Sequence, residues 1–201
     1  MINEVEILKQ VAHKNIIQLS EIYETSNYVY MVQELVIGGQ LMQQINDRGL
    51  FTEADSIKVL KLILEVVEYL HEKNIMHRDL KPENIMITTD KVVKILDLGL
   101  AKQRSLDASS VTQANKAMGT PKYMSPEQCI DVANVDHRSD IYAAGVILYE
   151  LLCGKLPFEF PNPGQLMNAH LNRQPDPPSK HLSKIPNTLD QVVLKAMAKK
   201  K

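Results

Sequence analysis

Residues 77–84 read His77-Arg78-Asp79-Leu80-Lys81-Pro82-Glu83-Asn84, and thirteen positions after Asn84 stands Asp97-Leu98-Gly99. Between them, Ile85-Met86-Ile87 and Val92 to Leu96 are short apolar runs joined across the polar Thr89-Asp90, the pattern of a β-hairpin. Ahead of the loop, Ile57, Leu60, Leu64, Val67 and Leu70 recur at helical spacing, and Thr52 with Asp55 gives a capping signal at the start of that helix. A charged loop is thus fed by a long helix and closed by a hairpin. The hairpin folds the chain back so that Asn84 and Asp97 approach one another.

Working outward, residues 3–12 are expected to be helical, with Val5, Leu8 and Ala12 on one stripe. Ile16 to Tyr23 and Tyr28 to Glu34 alternate and read as a first hairpin, turned by Glu24-Thr25-Ser26-Asn27. Gly38-Gly39 breaks the pattern and sets an expected boundary between a unit over 1–36 and a larger one over 37–201. Gln103 to Met118 is polar and aperiodic, and a loop that long in a compact domain is usually functional or mobile. Ile141 to Cys153 is apolar almost all round, which argues a buried helix, with Gly154 placed as its C′ glycine and Pro157 beyond. Asn162 to Asn172 and Thr188 to Lys199 complete the expected helices. Helices and hairpins follow in blocks, which makes the fold class α+β.

Composition removes several function classes. The 201 residues carry 23 Lys+Arg and 24 Asp+Glu, a net charge of -1, so nothing favours nucleic acid or an anionic membrane as partner. Eight glycines never place three within six residues, so these residues contain neither a G-x-G-x-x-G loop nor a Walker loop. Cys129 and Cys153 have no metal spacing and fit a reducing compartment. The acidic N-terminus has no signal-peptide pattern, and the longest apolar stretch, Ile141 to Tyr149, is too short to span a bilayer. The expected protein is cytoplasmic.

The loop from His77 to Asn84, Asp97-Leu98-Gly99, Gly119-Thr120-Pro121 and Ser125-Pro126-Glu127, in this order and with the hairpin between the first two, resemble the protein-kinase family, specifically its serine/threonine branch. The first half of the chain looks similar to the calmodulin-dependent group. The resemblance implies a two-lobed fold, with residues 1–36 the remnant of an N-lobe lacking its first three strands and 37–201 a mostly helical C-lobe. It implies transfer of the ATP γ-phosphate to a protein Ser/Thr hydroxyl with Mg²⁺. Phosphoryl transfer asks the protein mainly for positioning and charge neutralisation. In that scheme Asp79 accepts or orients the incoming hydroxyl proton, and Lys81 offsets developing negative charge. Asn84 and Asp97 supply the oxygen ligands that a hard cation prefers. The backbone of Glu34 and Val36 meets the adenine, with Met86 beneath it, and Glu4 matches the helix glutamate that pairs with the family's strand lysine. Arg78 is the receptor for a phosphate on the activation loop, Thr120 positions Asp79 and Lys81, and Glu83 suits a basic residue near the acceptor. His77, Asp140 and Gly145 are given structural roles. Outside that context Asp97 reads as a strand-end turn former, Lys81-Pro82-Glu83 as an ordinary loop, and the adenine residues as strand and core.

Four departures from the family pattern accompany the resemblance. The Gly-rich loop and the strand lysine have no counterpart, and the chain stops before the helix whose arginine pairs with the glutamate matching Glu127. Leu98 stands where Phe is usual, and Lys116 occupies the usual loop phosphosite, leaving Ser109, Ser110 and Thr112 as candidates. Missing strands would bare the remaining sheet and favour association with other chains, so a regulatory protein is an expected partner beside the protein substrate. The alternative function is an inactive kinase-like scaffold that binds a partner without phosphotransfer.

Overall fold

The computed structural model describes residues 11–96, 121–131 and 135–199. Most of the expected N-terminal helix, Glu4 within it, the Asp97-Leu98-Gly99 triplet, the whole 103–118 loop and Thr120 lie outside the described residues. Val11 and Ala12, at the end of that expected helix, are not helical.

The first hairpin forms as β1 (Leu19–Glu24) against β2 (Val29–Gln33). Its faces expose Tyr23, Tyr30 and Met31. The second hairpin forms as β4 (Ile85–Thr88) against β5 (Val93–Ile95). Gly38-Gly39, expected as a break, is instead the start of β3 (Gly38–Gln40), which pairs antiparallel with β4 and makes the sheet order β3-β4-β5. The reason is steric: a Cβ on Gly38 would stand 2.2 Å from the Ile87 carbonyl oxygen, so only glycine lets the strands cross this closely. Residues 34–37 link the hairpin to this sheet. A second tie joins them, because Ile17 N–H donates to Ile95 O at 2.9 Å and Asn15 Nδ2 donates to Val93 O at 2.7 Å.

Among the described residues there are six α-helices. The helix α1 (Leu41–Arg48) carries no strong sequence signal: it buries Leu41 and Ile45 at an i,i+4 spacing amid glutamines. The helix α2 (Glu53–Glu72) starts as expected, with Thr52 Oγ1 accepting from Asp55 N–H at 3.1 Å. Its buried stripe is rotated from the expected one. Val59, Ile63, Val66, Val67 and Leu70 are buried, whereas Ile57, Leu60 and Leu64 are only partly so. A helix in a core with neighbours on several sides buries more than one ridge, so the most apolar diagonal need not be the deepest. The helix α3 (Pro126–Ile130) opens on a capping box between Ser125 and Gln128. The helix α4 (Arg138–Cys153) is buried on nearly every face and ends at Gly154, φ +67°, whose N–H reaches Glu150 O at 2.8 Å. The helices α5 (Pro163–Asn172) and α6 (Asn187–Ala196) close the fold, and α2 and α6 both pack on α4. No helix among the described residues is long and apolar enough to cross a membrane. The α+β class is what forms.

Candidate active site

The loop between α2 and β4 is anchored from beneath by a buried carboxylate. Asp140, on the first turn of α4 and 1% exposed, accepts from His77 N–H at 2.9 Å through Oδ2 and from Arg78 N–H at 2.8 Å through Oδ1. His71, from the last turn of α2, adds its Nε2 to Oδ2 at 2.8 Å. Burial opposes ionisation of Asp140, but the His71 hydrogen bond, the field of His77 and the two backbone N–H groups outweigh it and hold the carboxyl below its usual range. Arg78 sits at φ +64°, in the left-handed region, with its carbonyl accepting from Gln128 Nε2 at 2.8 Å. His77 is fully buried, in keeping with a packing role.

That fixed turn presents Asp79. Lys81 Nζ lies 3.1 Å from Asp79 Oδ2, and Asn84 Nδ2 lies 3.1 Å from the same oxygen and donates to Asp79 O at 2.8 Å. A carboxylate, an ammonium and a carboxamide thus meet at one point, within six residues of chain. The 3₁₀ turn Pro82–Asn84 brings Asn84 back, and Leu80, Pro82 and Asn84 are buried beneath it. Leu96 N–H donates to Asn84 O at 2.9 Å, which places the end of β5 beside Asn84. Glu83 keeps Oε2 buried with no hydrogen-bond partner among the described residues.

A second group of expected residues gathers on one face of the sheet. Met86 in β4 pairs with Lys94 in β5, and Lys94 Nζ reaches Glu34 Oε1 at 2.7 Å. That hydrogen bond, against a smaller cost of burial, holds the Glu34 carboxyl below its ordinary value. Glu34 N–H also donates to Gln18 O at 2.9 Å. The 34–37 link therefore leans on the face that carries Met86, with Val36 half-buried within it. Residues that sequence reasoning passed over do the holding. Lys94 could have been found from its alternation with Val93 and Ile95, and Gln128 from its place three after Ser125. The pairing of His71 with Asp140 spans 69 positions and has no local signal.

Comparison with known proteins agrees with this geometry. The protein kinase domain family matches residues 1–201. The chain belongs to the protein kinase family. It is 36% identical over 198 residues to a probable serine/threonine-protein kinase PknB of Corynebacterium glutamicum, covering 94% of this chain and 30% of that protein. It is 43% identical over 163 residues to human serine/threonine-protein kinase H1, covering 80% and 38%. A probable myosin light chain kinase of Dictyostelium discoideum is 40% identical over 159 residues, covering 77% and 39%. The chain thus spans between 30 and 39% of the length of these curated relatives. The bacterial and the human relative both carry serine/threonine names.

Proposed function

We propose that the chain transfers the γ-phosphate of ATP to a serine or threonine hydroxyl of a protein, with Mg²⁺. One observation carries this reading: Lys81 Nζ and Asn84 Nδ2 converge on Asp79 Oδ2, each at 3.1 Å. Asp79 orients the acceptor hydroxyl and takes its proton, and Lys81 offsets charge on the transferring group. Asn84, with its amide N–H groups spent on Asp79, offers its Oδ1 as a neutral ligand. Together with the Asp97 carboxylate that is a hard oxygen set of the kind Mg²⁺ accepts. Mg²⁺, when bound, neutralises the triphosphate. The adenine would meet the Glu34 and Val36 backbone with Met86 beneath it, in a cleft whose hinge is residues 34–36, at the end of the unit 1–36 and before the unit 37–201.

Four further assignments belong to the same reading. Glu4 is the counterpart of the helix glutamate that pairs with the family's strand lysine, Arg78 receives an activation-loop phosphate, and Thr120 steadies Asp79 and Lys81. Glu83 accepts a basic residue of the substrate near the acceptor hydroxyl. Two free thiols fit a cytoplasmic location.

A thermal-shift titration with Mg·ATP tests the nucleotide half of this proposal. Saturation at 100 times Kd should stabilise the chain by about 2.7 kcal/mol, raising Tm by a few degrees. D97N should abolish the shift. A shift of equal size in D97N, or none in the wild type, would favour a binding scaffold instead.

A further inference from the structure

Side chains alternate across a strand, so the β3-β4-β5 sheet has two faces. Met86 and Lys94 take the one leaned upon by Glu34, and Ile87 with its partner Val93 takes the other. On that other face, Ile87 and Val93 meet Phe51, Val59 and Leu62 around a cavity of about 550 Å³, within the size of ligand clefts. The cavity belongs to no part of the nucleotide face.

Three features say what fits it. Gly39 lines the cavity, and a Cβ there would meet only Gln44 Nε2, at 3.9 Å. Its φ lies outside the left-handed region, so the missing side chain leaves open volume and relieves no strain. Second, Gly38 and Gly39 belong to β3, an edge strand of its sheet among the described residues, which offers backbone groups to an extended guest. Third, the charged lining residues are Lys58, Lys91 and Asp55, and the Asp55 carboxylate is already held by the Thr52 hydroxyl at 2.9 Å. Both lysines are exposed. The rim is therefore net cationic above an apolar floor.

We propose that this groove docks an extended segment of a partner protein in which acidic residues alternate with aliphatic ones. The aliphatic side chains fill the volume over Ile87, Val93 and Leu62, and the carboxylates reach Lys58 and Lys91. The site is independent of phosphotransfer and stands or falls separately from it.

Fluorescence anisotropy on the full chain tests this with a fluorescein-labelled decapeptide of alternating glutamate and leucine. A decapeptide of alternating lysine and leucine is the counterpart. The first peptide should bind at least tenfold more tightly than the second. K58E/K91E, which alters two exposed side chains, should weaken the glutamate peptide at least tenfold and tighten the lysine peptide. G39V, which fills the groove, should weaken the glutamate peptide without changing Tm. No binding of the glutamate peptide below about 1 mM would overturn the proposal, as would equal affinity for both peptides or indifference to K58E/K91E. A dimer in sedimentation velocity that K58E/K91E dissociates, without peptide binding, would assign the groove to a second copy and also overturn it.

Discussion

Arg78 shows how much the site depends on single residues. A non-glycine side chain in the left-handed region costs roughly 1–2 kcal/mol, and the turn persists because both of its backbone groups are taken. Asp140 accepts its N–H and Gln128 donates to its carbonyl, so the strain is met from α4 and α3 rather than from the loop itself. D140A would leave the His77 and Arg78 N–H groups buried without their acceptor. It should cost about 3–5 kcal/mol, read as a lower urea midpoint at unchanged slope. A loss below 1 kcal/mol would mean that Asp140 does not hold the loop. The types and spacing of Asp79, Lys81 and Asn84 were readable in the sequence because they sit within six positions of one another. Their support was only partly so: the resemblance gave Asp140 a structural role, but nothing local announces that His71 and the Arg78 turn pair with it from 62 to 69 positions away.

At the scale of elements, the long α2 and α4, the two hairpins and the Gly154 cap follow from period, turn residues and a C′ glycine. Others, β3 and α1 among them, do not. The short β3 hides in a glycine pair, because glycine's usual meaning is a break, whereas Gly38 is required by the close passage of Ile87 O. The helix α1 hides because three apolar residues in eight, two of them adjacent, give too short a pattern to show a period. Gly145 illustrates a glycine demanded by helix packing. A Cβ there would stand 2.8 Å from Ala196 Cβ and 3.2 Å from Met197 Cγ, where α6 lies on α4. G145A should therefore destabilise by about 1–2 kcal/mol despite alanine's better helix propensity. A196G should recover part of that loss, giving a coupling of at least about 0.5 kcal/mol in a double-mutant cycle. Strict additivity would remove the packing explanation.

Across the whole molecule, a buried polar cluster makes folding sensitive to acid. His170 is fully buried in α5, with its Nδ1 2.9 Å from Tyr142 OH on α4, and Lys199 Nζ donates to the same hydroxyl at 2.9 Å. Burial, then the positive charge of Lys199, pushes the His170 imidazole down to about 4. The folded value lies below the unfolded one, near 6.5, so the folded state rejects the proton. Its stability contribution is complete above about pH 6.5 and is lost as pH falls toward 4. Denaturant unfolding at pH 7.5 and 5.0 should differ by about 2 kcal/mol from this residue, and H170Q should remove that part of the difference. An unchanged pH dependence in H170Q would place the acid sensitivity elsewhere.

The same scale carries the functional claim, since catalysis needs the α4 anchor, the α2–β4 loop and the hinge face assembled together. The decisive measurement is the initial rate of γ-phosphate transfer from labelled Mg·ATP to a serine- and threonine-containing peptide library, comparing the full chain with D79N. The substitution keeps the shape of Asp79 and its backbone bond from Asn84 but removes the carboxylate. Folded D79N protein transferring phosphate at least about 10²-fold more slowly than the wild type is the expected result. Equal rates in the two proteins would contradict the assignment of Asp79, and with it the reading of this loop as the catalytic centre.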